Sequence, residues 1–192
     1  FGQALSYRLE ETREKELEER SFPMGFLASE SYPIVLGDPA TKQDQKQPHF
    51  SEYAGSSNKT LFQSAQELLN ADKAFSWGFS FNGTSVRLLR DSMSFTRPSY
   101  LEFSLEDIFD NDDYSEYLHL YAILHASRTI EKDGRNVWED WIKAGEDEGE
   151  PAREKLSLGV RRAIEILGNA FLKHPKNETL REAIAQKKLT SE

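Results

Sequence analysis

The dipeptide Asn82-Gly83, set between two short β-forming runs, constrains this chain more than any other feature. Asn and Gly tolerate the positive φ angles that a tight hairpin turn demands. Before the turn, Phe75, Trp77, Phe79 and Phe81 alternate with small residues, the period-two pattern of a strand. After it, Val86, Leu88 and Leu89 are candidates to face inward, with Arg87 and Arg90 straddling the return strand. The run YLEFS, following the link SMSFTRP, predicts a third strand over Tyr100–Ser104 and so an antiparallel meander.

Around this hairpin the pattern predicts an α+β fold, a small antiparallel sheet flanked by helices with a helical C-terminal part. Residues 4–20 (ALSYRLEETREKELEER) are rich in Glu, Lys and Arg and predict a helix with a thin apolar stripe. Residues 1–31 therefore divide off as an N-terminal helix and linker, residues 32–111 as the α/β core and residues 112–192 as a helical extension. Tyr32–Leu36 (YPIVL) predicts a short strand, and TKQDQKQPHF after it a polar, mobile loop. TLFQSAQELLNAD predicts an amphipathic helix capped by Thr60 or Asn58, with Leu61, Ala65, Leu68 and Leu69 on one face. Further on, Ser104 caps SLEDIF, and DYSEYLHLYAILHAS is expected to be the most buried helix. A helix over residues 137–144 carries Trp138 and Trp141. GEDEGEPAREK reads as an acidic linker before a long helix over residues 152–174 and a short one over residues 178–187.

Charge narrows the function. With 33 acidic against 24 basic residues the net charge is −9, whereas a surface built to grip DNA throughout is basic. Only a local basic strip is compatible with nucleic-acid contact. There is no cysteine, hence no disulfide framework or thiolate metal site, which fits a reducing cytoplasm. No run approaches the ~18 apolar residues of a membrane span, and the triplets at Asn58, Asn82 and Asn177 read as chance. A chain that opens on Phe1 and ends in a polar run at Glu192 is expected to be a piece of a larger protein.

Catalytic constellations are sparse. His119 and His125, six residues apart, do not share a helix face; His49 lies in a loop and His174 at a helix end, so all four read as structural. No Gly-rich phosphate loop, GxSxG elbow or HExxH occurs. Nor is there a methyltransferase Gly-rich loop or an Asn/Asp-Pro-Pro-aromatic tetrad. Asp110, Asp112 and Asp113 read as a capping turn. The most suggestive residues are Arg87, Arg90 and Arg97, whose forked donors suit phosphate oxygens. The competing reading pairs them with Asp91, Glu102 or Glu106 across the sheet.

At WGFSFNGTSVRLLRD and its flanks the sequence resembles the N-terminal region of large type IIG-like restriction–modification DNA methyltransferases. The shared order is a glutamine helix (Gln66 in SAQELLN), Trp77-Gly78, Asn82-Gly83, Arg87 to Asp91, and Tyr100 to Glu106. SMSFTRPSYLEF and LGNAFLKHP are also similar, so the likeness runs over residues 32–189 and concentrates in residues 63–106. It implies a PD-(D/E)xK-like domain, a fold in which an Asp and a Glu hold a divalent metal beside a Lys. Before the glutamine helix stand Glu30, Asp38, Asp44 and Glu52, with no Asp-x-Lys or Glu-x-Lys on a strand. The resemblance thus implies a catalytically silent domain that positions DNA, through Arg87, Arg90 and Arg97, or braces a downstream methyltransferase domain. S-adenosylmethionine would bind in the parent enzyme, with no cofactor or metal in this region. Alternatives are a divergent metal-dependent nuclease, or a protein–protein scaffold using Trp138, Trp141 and the acidic helices.

Overall fold

The computed structural model describes residues 2–17, 20–48, 50, 59–91 and 99–185. Its chain divides into two compact units, Phe1–Lys132 and Asp133–Glu192. The first is α+β, and the second is helical.

The first unit is organised by a mixed six-stranded sheet. Its strands are β1 (Leu9–Glu11), β4 (Phe26–Ala28), β5 (Tyr32–Leu36), β6 (Trp77–Phe81), β7 (Ser85–Arg90) and β8 (Tyr100–Ser104), in that spatial order. Two further strands, β2 (Glu14–Leu17) and β3 (Arg20–Pro23), form a separate antiparallel pair. The expected meander is present as β6-β7-β8, antiparallel throughout. The pairing of β5 with β6 is parallel, and the chain between them carries helix α1 (Leu61–Ala71). Parallel neighbours need such a crossover, which is why the sheet is mixed.

The hairpin turn differs in register from the Asn-Gly expectation. The Asn82 amide donates to Ser85 O at 3.3 Å, so Gly83 and Thr84 are the two loop residues. Gly83 alone among residues 82–84 has positive φ, at 90°. Glycine first with positive φ is the type II′ pattern rather than type I′. Asn82 instead braces the turn from inside: its Oδ1 accepts from the amides of Thr84 (3.2 Å) and Ser85 (2.9 Å).

Registers assign the sheet faces. Val35, Ser80, Arg87 and Glu102 are cross-strand partners on one face, and Ile34, Phe79, Leu88 and Leu101 on the other. Helix α1 covers the first face. Thr60 caps it in a reciprocal capping box with Gln63. Its Leu61, Ala65, Leu68 and Leu69 join Phe22, Val35, Phe50 and Leu89 in the core. Burying each such leucine contributes about 1.5–3 kcal/mol. Gly78 permits the approach: a Cβ there would lie 2.9 Å from Leu69 Cδ2 and 3.0 Å from the Pro33 carbonyl. On the opposite face the N-terminal segment crosses the sheet, with the Tyr7 ring edge-on to Phe79 at 5.7 Å between centroids. The Leu5 carbonyl is held by the Ala126 amide at 2.9 Å.

The helix expected over residues 4–20 is absent among the described residues; β1 and β2 lie there instead. The cause is legible in burial. Leu5 and Tyr7 are buried and Leu9 partly so, while Ser6 and Arg8 are exposed, a period of two that overrides the helix propensity of the charged residues. Within residues 1–31, β1 and β4 belong to the main sheet.

Two further expectations change in this unit. The segment after β5 is packed rather than loose: Gln43 is 2% exposed and Gln47 0%. Helix α2 (Leu105–Asp110) has the Ser104 cap expected, accepting from the Asp107 amide. Helix α3 (Tyr114–Leu124), however, buries only Leu120 and Leu124, because its apolar residues ring the helix instead of sharing a face.

In the second unit, helix α4 (Val137–Lys173) runs 37 residues, through both the expected acidic linker and Pro151. Proline removes one donor and crowds the preceding turn, but the surrounding Glu, Lys and Arg are good helix formers and carry the helix on. Asn136 caps it, accepting from the Glu139 amide at 3.0 Å. Trp138 is buried and Trp141 exposed. Helix α5 (Glu178–Ala185) follows, and the Arg181 guanidinium ties it to α4 by donating to Leu172 O at 2.7 Å.

Candidate functional site

The polar centre of the first unit is Arg87 on β7. Only 3% of the residue is exposed. Its Nη1 and Nη2 each donate to a different carboxylate oxygen of Asp44 at 2.7 Å, and Nη2 also donates to Glu102 at 3.1 Å. The guanidinium carbon lies 4.1 Å from the centroid of the Tyr100 ring, and Tyr100 in turn meets Phe62 of α1. Bidentate pairing and stacking on an aromatic face are the two geometries that suit guanidinium. Burial opposes the charge on Arg87, but hydrogen bonds to Asp44 and Glu102 and their negative charge outweigh it, so its pKa lies above the ordinary value. The same hydrogen bond, partly offset by burial, lowers the pKa of the Asp44 carboxyl.

A second network sits beside it. Ser80 donates to Gln43 Oε1, and Gln43 Nε2 donates to Ser85 Oγ at 2.8 Å and to Ser85 O at 3.2 Å. Asn82 Nδ2 donates to Thr41 O at 3.0 Å. Gln47 Oε1 accepts from the Asp38 amide at 3.0 Å. Together these bonds fasten the loop after β5 to the hairpin, leaving the buried amides with partners, as low-dielectric surroundings require.

The arginines do not share one face. Positions 87 and 90 are an odd number of residues apart on a strand, so their side chains leave opposite sides of the sheet. Arg90 has a side chain 39% exposed, lies 5.9 Å from the Trp77 ring centroid and is 3.8 Å from Asp91. Arg97 lies outside the described residues. Pairing across the sheet with Glu102 is present for Arg87; Asp44 is the larger partner, and nothing periodic in TKQDQKQP signals it.

Gln66 is buried, donating to Arg90 O at 2.8 Å and to Asn70 Oδ1 at 3.1 Å, so this glutamine holds the end of β7. Glu30 pairs loosely with Arg8 at 3.7 Å, and Asp38 Oδ1 accepts from the Ala40 amide at 2.9 Å; Glu52 lies outside the described residues. Asp113 caps α3 by accepting from Glu116 N. His119 faces Glu116 at 3.3 Å, His125 and His174 accept amides of Ser127 and Lys176 at helix ends, and His49 lies outside the described residues. Among the described residues no three His, Asp or Glu side chains are arranged to hold a metal ion.

One open depression of about 540 Å³ lies at the C-terminal end of β5. Met24, Phe26 and Phe50 supply its apolar part, and Glu11, Arg13 and Asp38 its charges. No described helix is long and apolar enough to cross a membrane.

Comparison with protein-family models, with curated proteins and with solved structures finds no match to this chain. What the fold and its polar centre define is an α+β domain in which the most buried charge among the described residues holds two segments together.

Proposed function

We propose that this chain is a catalytically silent domain of a DNA restriction–modification or phage-defence methyltransferase, where it braces the methyltransferase domain and orients DNA. The observation that carries the reading is the engagement of both terminal nitrogens of Arg87 by Asp44 and Glu102, with its plane against Tyr100. A carboxylate held by two arginine donors is a structural partner rather than a free base or metal ligand. DNA contact then falls to Arg90 and Arg97, with Arg87 positioning β7, the strand that carries Arg90. S-adenosylmethionine belongs to the companion domain of the parent, which works in the cytoplasm. A protein–protein scaffold is the second reading, favoured by the exposed apolar residues of α4 and by Trp141, which is 46% exposed.

The test is methyl transfer from labelled S-adenosylmethionine to duplex DNA. The parent should transfer methyl groups, and residues 1–192 alone should neither transfer them nor cut plasmid DNA with magnesium or manganese. Metal-dependent cleavage by residues 1–192, abolished in Asp38→Ala or Glu52→Ala, would replace this reading with the nuclease one.

A further inference from the structure

Helix α4 carries a long apolar face that the second unit leaves open. Leu156, Val160, Ala163 and Leu167 follow one another at spacings of four, three and four residues, the repeat of a helix-packing seam. Ile164 and Phe171, seven residues apart, widen that seam on one side. Leu156 is 69% exposed, Val160 50%, Ile164 64%, Leu167 69% and Phe171 60%. A contiguous apolar patch of this kind marks an interaction surface, unlike isolated exposed leucines. It lies within a helix about 55 Å long at 1.5 Å per residue.

The charges beside the face identify what covers it. Lys155, Arg162 and Lys173 fall on one flank of the seam, seven and then eleven residues apart. No acidic side chain among the described residues engages any of the three. We propose that the seam of α4 docks an amphipathic helix whose edge carries Asp and Glu opposite this basic rail.

An antiparallel second copy of the chain does not fit. Stacking seam on seam in antiparallel fashion sets the basic rails face to face, and like charges so placed oppose association. Shifting the copies until basic and acidic halves align puts the seam against Glu146 and Gly149, which offer no apolar surface. An anionic lipid surface fits less well also. Glu146 lies five helical turns before Ile164 and on the same side, so a helix lying on its seam presses that carboxylate towards the lipid charge. The inference does not depend on the DNA-modification reading.

Its test uses the whole chain and two labelled synthetic helical peptides. Both have Leu and Ile at alternating four and three spacing; one has Glu on its flanks and the other Lys. Anisotropy should show the Glu peptide binding and the Lys peptide at least about tenfold weaker, with the difference shrinking as salt rises. The double variant Lys155→Glu, Arg162→Glu should reverse the preference. Ile164→Glu with Leu167→Glu should abolish binding of both while leaving helicity by circular dichroism unchanged, since both side chains are exposed. If that pair lowers helicity, the charge reversal alone decides. Equal binding of the two peptides, or none, overturns the proposal. So does a sedimenting dimer that Ile164→Glu dissolves, or binding confined to phosphatidylserine vesicles.

Discussion

Arg87 offers its two terminal nitrogens to the two carboxylate oxygens of Asp44, each 2.7 Å away, across 43 residues of sequence. The pair ties the loop after β5 to the middle of β7, and the two ends are not equivalent. The Arg87 side chain is 4% exposed and that of Asp44 65%. Losing Arg87 removes a buried cation and its stacking on Tyr100, whereas losing Asp44 leaves Arg87 with Glu102. Arg87→Ala should cost ~2–4 kcal/mol in denaturant unfolding and Asp44→Ala only ~1 kcal/mol, the solvated end being screened. Equal losses would show that the pair does not act through burial of the arginine.

Asp44 also fixes a pH dependence. Its folded pKa is lower than the ordinary 3.8, chiefly through the hydrogen bond from Arg87. The folded state therefore binds this proton less readily than the unfolded state. Its contribution is complete above the ordinary carboxylate value and is lost as pH falls through the lowered one. Unfolding followed from pH 6 to pH 2 should show a smaller acid loss in Asp44→Asn than in the parent sequence. A superimposable pH profile would remove Asp44 from the acid transition.

The turn makes a separate claim. Gly83 has φ of 90°, and a Cβ there would meet only Pro39 atoms, at 3.5 Å, an ordinary contact. Gly83→Ala and Gly83→Val therefore act through the backbone rather than by collision, and should destabilise by ~1–3 kcal/mol. Gly78→Ala should cost as much for the opposite reason, since φ there is ordinary but Leu69 and the Pro33 carbonyl lie within about 3 Å. The crystal structure of Gly78→Ala should show α1 displaced from the sheet, and that of Gly83→Ala should not.

How much of this was legible in the sequence follows from where local pattern and tertiary packing agree. Strand β5, the α1 capping box and the β6-β7-β8 meander carry their own signals: a β-branched run, a Thr-x-x-Gln cap and an Asn-Gly dipeptide flanked by alternating aromatics, which locates the hairpin although its loop falls one residue on, at Gly83-Thr84. Residues 4–17 carry two signals that conflict. Leu5, Tyr7 and Leu9 alternate as in a strand while Glu, Lys and Arg favour helix, and pairing of β1 with β4 decides between them. Asp44, Gln43 and Gln47 were invisible as structural residues because their partners come from the hairpin, far along the chain. Helix α4 hid for a third reason: Gly145, Gly149 and Pro151 weaken a helix locally, yet sixteen or more charged and apolar helix formers around them sustain it.

The last prediction separates DNA contact from architecture among the arginines. Arg90 projects from the sheet face opposite Arg87 and is partly exposed, so it has donors near solvent that Arg87 lacks. If the proposed DNA-orienting role holds, Arg90→Ala should weaken duplex binding similarly across sequences, and reduce the slope of log affinity against log salt by about one if it contacts one phosphate. Arg97→Ala should do the same if Arg97 joins the contact. Melting temperature should hold in Arg90→Ala, because Arg90 leaves the sheet on the face opposite the Arg87 cluster. Arg87→Ala should show the reverse pattern: a lower melting temperature, with the salt slope of the protein that remains folded unchanged. A fall in salt slope for Arg87→Ala at constant melting temperature would mean that Arg87 leaves Asp44 to reach DNA. Unchanged affinity and slope for both Arg90→Ala and Arg97→Ala would overturn the DNA-orienting part of the proposal.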